Sequence, residues 1–251
     1  MRMERFFRLF RTGKPGSSTE RRPPMTETAL PELYWISGSP PSWRVMLGLV
    51  LKDIPFTSRR LDHGKGENRA PAYLAINPTG QVPALRHGAL VLRESIAILA
   101  WLDRAWPARP LFGATVAEAA VIWPRVMAFE ADLRPAATTI ATTLLRNRSS
   151  ERYDALAAAT ARYLDELDDI EHRFDEQSWL GPDGPSAADC WLYPTLGWIS
   201  RALERTRDSV PAELAAHLAD RPALRGWHSR FAALPGVAGT YPPHWADTPA
   251  T

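Results

Sequence analysis

Three short segments of the chain combine hydroxyl, carboxylate and proline residues in patterns that can do chemistry. In the segment SGSPPSW, Ser39 precedes two prolines and Ser42 follows them. Because proline is favoured in the first turn of a helix and serine just before it, Ser39 is predicted to be an N-cap. The other two segments are Val82–Pro83, at the entry to a strand-like run, and Glu94–Ser95, at the start of an apolar helix-like run.

The second and third segments favour different ligand groups. An X-Pro bond can be cis at low cost, and a cis proline at a strand entry turns a backbone edge outward, where an extended peptide can pair with it. The free N–H groups and partial positive charge of a helix start favour a carboxylate beside Ser95. An ordinary turn proline and simple helix capping are the alternatives.

The elements that must position these segments change in character along the chain. Residues 32–106 show the order βαβ and then ββα, which is typical of a small mixed α/β domain. The predicted strands are Leu33–Ser37, Phe56–Leu61, a strand entered by the loop Asn77–Leu85, and Ala89–Leu92. The predicted helices are Ser42–Lys52 and Glu94–Trp106. Residues 107–117 are a Pro/Gly-rich linker.

The second half reads as an all-helical domain over residues 118–235, since its apolar residues recur with a period of 3.6. Three prolines inside the pattern, Pro124, Pro135 and Pro194, are expected to bend or break helices. The tail, residues 236–251, is predicted to be loop-like. The predicted helices are Glu118–Arg146, Arg152–Asp175, Ser186–Glu204, and shorter ones near Ala212–Leu218 and Ala223–Leu234.

Composition excludes several functional classes. The chain has 251 residues, 45% apolar and 23% charged, and one cysteine, Cys190, which excludes an internal disulfide framework and favours a cytoplasmic location.

The formal net charge of +2 is misleading, because seven of the 30 basic and two of the 28 acidic side chains lie in residues 1–24. The remaining chain is mildly acidic, so we expect no nucleic-acid partner; no apolar run is long enough for a membrane span. Residues 1–31 are predicted to be a disordered basic leader.

Five motifs, in order, resemble those of the cytosolic-type glutathione S-transferases, closest to the rho and zeta (maleylacetoacetate isomerase-like) classes. The resemblance covers about residues 33–245 and implies the GST fold, α/β plus all-α: a thioredoxin-like domain followed by an all-helical domain. It also implies glutathione as co-substrate or cofactor, a small-molecule electrophile as partner, and a homodimer. The motifs are SGSPPSWRV at Ser37–Val45, NPTGQVPAL at Asn77–Leu85, Glu94–Ser95 followed by IAIL, SAAD at Ser186–Asp189, and YPPHW at Tyr241–Trp245.

The resemblance assigns glutathione to specific residues. Val82, with Pro83, would pair with the cysteinyl backbone, Ser95 would hold the γ-glutamyl carboxylate, and Glu94 would face the α-amino group. Asn68 would lie near the glycyl end. The scattered histidines show no metal-ligand spacing, so no metal site is expected.

Thiol activation falls on the SGSPPSW turn. A free thiol with a pKa near 8.5 is only a few per cent thiolate at pH 7, so an activating donor is needed. Pro40 and Pro41 carry no N–H, which leaves the hydroxyls of Ser39 and Ser42 and the amides of Ser42 and Trp43. Ser39 aligns with the activating serine of the zeta-like pattern; Ser42 as sole partner, or Ser39 as a mere cap, are the alternatives.

The electrophile should lie between this turn and the helical domain. Arg201 falls where the zeta class has a carboxylate-binding arginine, but it can also pair with Glu204 on its own helix. Ser186 and Asp189 form a capping-box pattern, and Cys190 is expected to be buried and inert. The predicted substrate-binding residues are Trp123, Met127, Arg134, Trp198 and Arg201.

Three functions follow in order of preference. The first is conjugation of glutathione to a small electrophile by a glutathione transferase. The second is glutathione-dependent cis–trans isomerisation of an unsaturated metabolite, with acidic metabolites included. The third is a non-catalytic interaction module with the same fold.

Overall fold

The computed structural model describes residues 29–246, so the predicted leader lies almost wholly outside the described residues. The first domain has the predicted mixed α/β character. A 3₁₀ turn at Glu67–Arg69 and the short α2 were not predicted. Its elements are β1 Glu32–Trp35, α1 Pro40–Leu51, β2 Thr57–Arg60, α2 Pro71–Leu74, β3 Ala84–His87, β4 Leu90–Arg93 and α3 Ser95–Ala105.

The sheet brings the three chemistry-bearing segments to one end. Its strand order is β2-β1-β3-β4; β1 and β2 are parallel, and β3 is antiparallel to both β1 and β4. Tyr34, Ala84 and Arg93 therefore form one row across β1, β3 and β4. The serine turn follows β1, Val82–Pro83 precedes β3, and Glu94–Ser95 follows β4, so all three lie just beyond this row.

The second domain is helical, as predicted. It begins at Val116, two residues before the predicted start, and α7 packs against both α1 and α5. Among the described residues, no helix is long and apolar enough to cross a membrane. The helices are α4 Val116–Ala128, α5 Arg134–Leu145, α6 Tyr153–Glu176, α7 Ala187–Arg205, α8 Ala212–Ala215, α9 Pro222–Ala232 and α10 Pro243–Ala246.

Proline divides the predicted Glu118–Arg146 helix at one point. A π-helical turn at Phe129–Leu133 separates α4 from α5, and Pro135 follows in the first turn of α5. Proline lacks an N–H and crowds the carbonyl four residues earlier, so a wider turn accommodates it. Pro124 and Pro194 lie inside α4 and α7 and do not end them.

A buried ion pair fixes the linker between the domains. Lys52, at the end of α1, donates to Asp103 of α3 at 2.9 Å and to two linker carbonyls at 3.0 Å each. Asp103 also accepts the amides of Leu111 and Phe112, at 2.6 and 3.1 Å. The linker is therefore held against both helices of the first domain.

The predicted capping box at the start of α7 is present. The Ser186 hydroxyl accepts the Ala188 amide, and the Asp189 carboxylate accepts the Ser186 amide at 2.8 Å. Cys190 beside it is fully buried, and burial raises the pKa of its thiol. Its placement fits the expectation of an inert cysteine.

The C-terminal tail differs from its loop-like prediction. Ala238–Thr240 forms a 3₁₀ turn, and α10 follows it. The Trp43 indole donates to the Thr240 hydroxyl at 2.7 Å, and Trp245 is buried. The prediction was wrong because local Pro and Gly content gives no signal of packing against a distant tryptophan.

Candidate active site

The turn after β1 is shaped by its two prolines. Ser39 caps α1, as predicted: its hydroxyl accepts the Ser42 amide at 3.4 Å, and its carbonyl accepts the Trp43 amide at 2.9 Å. Pro40 and Pro41 donate no hydrogen bond. The expectation that the Ser42 and Trp43 amides are free for a ligand is therefore wrong, since both are engaged within the turn.

The two candidate hydroxyls of this turn differ in access. Ser39 is partly exposed, whereas Ser42 is fully buried and its hydroxyl has no hydrogen-bond partner among the described residues. A hydroxyl without exposed surface cannot touch a ligand in the open cleft. The geometry therefore favours Ser39.

The strand entry presents free backbone groups. The Val82–Pro83 peptide bond is cis. Within residues 29–246, neither the amide nor the carbonyl of Val82 takes part in a hydrogen bond with another residue. These two groups are therefore available to an extended peptide laid beside the strand.

Polar side chains brace the loop that leads to Val82. Asn68 is buried and donates to the Gly80 carbonyl at 2.8 Å, while Asn77 and Tyr73 donate to the Gln81 carbonyl at 2.8 and 2.5 Å. The Asn68 amide is thus occupied in holding the loop. A contact between Asn68 and the glycyl end of a ligand stays a prediction.

Glu94–Ser95 forms the start of α3, which has no side-chain cap. Glu94 has φ 65°, a left-handed conformation uncommon outside glycine, and its side chain is exposed. Ser95, the first residue of α3, is 7% exposed. The uncapped amides of the first turn and the Ser95 hydroxyl together offer donors to an anion.

Arg44 was not predicted as part of this site. It lies in α1, and its guanidinium donates to the Ser95 hydroxyl at 2.9 Å and to Glu130 at 2.6 Å. The signal was present in the sequence, because Arg44 is the only charged residue in the otherwise apolar run SWRVMLGLVL. Its partners, however, are 51 and 86 residues away.

Aromatic side chains from the second domain cover the serine turn. The Trp43 ring makes edge contacts with Tyr193, Tyr241 and Trp245, with centroids 5.4 to 5.8 Å apart. A Cβ added at Gly197 would lie 3.0 Å from the Trp43 ring, closer than an ordinary contact, so α7 and the Trp43 ring pack tightly at this glycine. The tail residue His244 lies 2.6 Å from the Ser37 hydroxyl.

The predicted substrate-binding residues are not all brought to this turn. Trp123 stacks on Phe112 of the linker with centroids 4.2 Å apart, Met127 is 54% exposed and Trp198 is partly buried. Within residues 29–246, no hydrogen bond, ion pair or ring contact joins these three to the serine turn. A ligand role for them stays a prediction.

The two candidate arginines lie in different settings. Arg134 is exposed and pairs with Glu130 at 2.9 Å. The Arg201 side chain is only 13% exposed and pairs with Glu204 at 3.2 Å. Arg201 lies one helical turn after Gly197 and therefore on the face of α7 that contacts Trp43.

A groove of about 1080 Å³ lies elsewhere, at the opposite end of α1. It is lined by residues around Ile54, by the linker around Leu111 and by the loop Gly181–Ser186. Because α1 runs away from the serine turn, this groove is separate from the candidate site.

Comparison with known proteins identifies the family. Residues 38–105 match the glutathione S-transferase N-terminal domain, and residues 151–230 match its C-terminal domain. A glutathione S-transferase of Silene vulgaris is 32% identical over 62% of this chain and 76% of its own length. The chain belongs to the glutathione S-transferase family.

Two further relatives match this chain over almost their whole length. A maleylacetoacetate isomerase of Pseudomonas aeruginosa is 29% identical over 87% of this glutathione S-transferase chain and 99% of its own. The crystal structure of a glutathione S-transferase from the Antarctic clam Laternula elliptica superposes with a TM-score of 0.75 at 25% identity, covering 88% and 96% of the two chains.

The His, Cys, Asp and Glu side chains of the described residues are dispersed. In the part of the chain that the structure describes, no group of three or more His, Cys, Asp or Glu residues is placed to hold a metal ion. The arrangement at the sheet end instead offers hydroxyl and amide donors, which suit a thiolate and a carboxylate.

Proposed function

We propose that this chain binds glutathione, stabilises its thiolate, and adds the sulfur to a small electrophile. The observation that carries the proposal is the convergence of three donor sets at one end of the sheet. They are the Ser39 hydroxyl, the free Val82 backbone and the start of α3 at Ser95.

The cysteinyl and γ-glutamyl parts of glutathione have matching groups in this arrangement. Its cysteinyl backbone pairs with the Val82 edge, and its γ-glutamyl carboxylate accepts from Ser95 and the first amides of α3. Glu94 faces the α-ammonium group. This placement puts the thiol at the Ser39 turn, since β1 and β3 are neighbours.

The chemistry at sulfur needs one donor. The thiol releases its proton to solvent, and the Ser39 hydroxyl donates a hydrogen bond to the thiolate. The sulfur lone pair then attacks the electrophilic carbon. In a substitution the leaving group departs with its bonding electrons; in an addition a neighbouring carbon takes up a proton.

Retention on immobilised glutathione separates this proposal from the non-catalytic module. We expect the chain to be retained and to be eluted by free glutathione but not by cysteinylglycine, which lacks the γ-glutamyl group. The eluted protein should catalyse conjugation of a chloronitrobenzene. Passage through the column without retention would favour the interaction module.

Isomerisation of an acidic substrate is the second candidate. Its support is the likeness to the Pseudomonas aeruginosa maleylacetoacetate isomerase and the placement of Arg201. Arg201 is mostly buried, but the Glu204 side chain that it contacts is 62% exposed. Glu204 can therefore turn into solvent and leave the guanidinium to a substrate carboxylate.

Replacing Arg201 tests this second function. Arg201→Ala should raise KM for an anionic electrophile about tenfold or more and leave KM for a neutral chloronitrobenzene within about twofold, because only the anion loses a charge-assisted hydrogen bond. Arg205→Ala, an exposed arginine at the end of the same helix, is the matched control. If Arg201→Ala changed KM equally for both substrates, Arg201 would have only a structural role.

The same proposal includes a cytoplasmic homodimer. Family membership supports self-association, since a two-fold dimer is the commonest soluble arrangement. A single buried cysteine fits a reducing compartment.

A further inference from the structure

Arg44 is a buried cation directly beneath the start of α3. It is 2% exposed, and its guanidinium lies 4.7 Å from the Trp191 ring centroid. Burial lowers its pKa to about 10, with Glu130 opposing that change. Arg44 therefore remains charged at neutral pH.

The bond between Arg44 and Ser95 fixes the role of the serine hydroxyl. A guanidinium has only donors, so at 2.9 Å the Ser95 oxygen must be the acceptor. In the described part of the chain, this hydroxyl makes no other side-chain hydrogen bond. Its hydrogen is therefore left to be donated to a ligand, and a positive charge beside the oxygen strengthens that donation.

Glu130 holds Arg44 in this position. One of its carboxylate oxygens accepts from Arg44 and from the Trp191 indole, each at 2.6 Å, and the other pairs with Arg134 at 2.9 Å. Burial raises the pKa of Glu130, but the two arginines and the Trp191 bond outweigh it and the net pKa is lowered. The Arg44 guanidinium is therefore held between the Glu130 carboxylate and the Ser95 hydroxyl.

We propose that Arg44 is a positioning residue that makes the Ser95 hydroxyl an obligate donor and thereby selects ligands with a carboxylate on the γ-glutamyl group. The inference rests on the proposed glutathione binding. A buried ion pair is in general a weak source of stability, because desolvation of both ions offsets their attraction. The observation that gives the pair a positioning role is the bond from Arg44 to the Ser95 hydroxyl.

The test compares two ligands in calorimetry. One is glutathione, and the other is 4-aminobutanoyl-cysteinylglycine, the same tripeptide without the γ-glutamyl carboxylate. Arg44→Lys keeps the charge on a shorter side chain with a single nitrogen, which cannot reproduce the guanidinium geometry. We expect it to weaken glutathione binding about tenfold and to leave binding of the analogue within about twofold.

A double-mutant cycle adds a readout that a merely structural role would not move. In a Ser95→Ala background the hydroxyl is absent, so Arg44→Lys should have less than about a twofold further effect on glutathione affinity. Additive losses would overturn the inference, and so would an equal loss for both ligands.

Lys52→Met is the matched control. Lys52 is also a buried cation at the α1 boundary, paired with a carboxylate of the first domain, but it lies at the far end of the helix from Ser95. It should leave the preference for glutathione over the analogue unchanged. A similar loss of preference in Lys52→Met would show that Arg44 acts only through general packing.

A second variant covers a failure of Arg44→Lys to fold. Glu130→Gln keeps the acceptor and removes the charge that orients Arg44, so a selective loss of about threefold for glutathione is expected; no selective loss would contradict the inference. Failure of the wild-type chain to bind glutathione would instead remove the proposed function, so the two outcomes are distinct.

Discussion

Replacing Asp189 with alanine is expected to remove much of the stability of the folded chain. The Asp189 carboxylate is fully buried and accepts four hydrogen bonds. An unsatisfied buried donor costs about 1–3 kcal/mol, and Asp189→Ala leaves these buried donors without their acceptor. The whole free energy of unfolding of a domain is only about 5–15 kcal/mol. The four donors are the Leu180 amide, the Ser186 amide and hydroxyl, and the Trp227 indole.

Urea unfolding measures this loss. Asp189→Ala should lower the transition midpoint with little change in slope, since the surface exposed on unfolding is nearly the same. Asp189→Asn keeps one acceptor oxygen, so its urea midpoint should lie between those of the wild type and Asp189→Ala. Asp183→Ala, an exposed acid in the preceding loop, is the control and should change stability by less than about 0.5 kcal/mol. An Asp189→Ala midpoint equal to that of the wild type would contradict the structural role.

Asp189 also shows which contacts of a residue can be predicted from the sequence. The Ser186–Asp189 spacing is a local signal, and the capping box was predicted from it. The other two bonds to this carboxylate come from Leu180 and Trp227, nine and 38 residues away. No local pattern encodes them, so the sequence predicted a helix cap but not a residue that joins three parts of the helical domain.

The candidate site divides in the same way. The Ser39 cap, the cis bond before Pro83 and the start of α3 at Ser95 depend on residue types at short spacing, and the structure shows all three features. Arg44 was missed because its meaning depends on Ser95 and Glu130. Glu130 in turn reaches the domain interface from a π-helical turn, which was predicted only as a bend at a proline.

The tail shows the limit of composition as a guide. Its Gly and Pro content indicates a loop, yet Trp245 is buried and Thr240 accepts from the Trp43 indole. Aromatic side chains bury large areas wherever a partner surface exists. The tail sequence suggests that Tyr241 and Trp245 could close over from the tail, but its Gly and Pro content does not indicate the partner surface formed by α1 and α7.

The Ser39 hydroxyl is expected to set the reactivity of bound glutathione. Ser39 accepts the Ser42 amide, so its own hydrogen remains free for a thiolate. Ser39→Ala removes one charge-assisted hydrogen bond, worth about 1.5–3 kcal/mol. In Ser39→Ala, the pH midpoint of thiolate formation by bound glutathione, followed by ultraviolet absorbance, should therefore rise by about one to two units. The conjugation rate near pH 7 should fall about tenfold or more and recover partly at alkaline pH, where the thiol ionises without help.

The structure sharpens the control for this experiment. Ser42→Ala removes a hydroxyl that is buried and without a partner among the described residues, so it should leave the midpoint unmoved. Glutathione should still bind to Ser39→Ala with little loss, because in the proposed complex Val82 and Ser95 hold its backbone and its carboxylate. A shift in Ser42→Ala but not in Ser39→Ala would move the activating role three residues along the turn. If neither variant moved the midpoint, the start of α1 would be left as the activator, yet its first two residues are prolines and its next two amides are bonded within the turn. With no donor left to hold a thiolate, that outcome would favour the non-catalytic module.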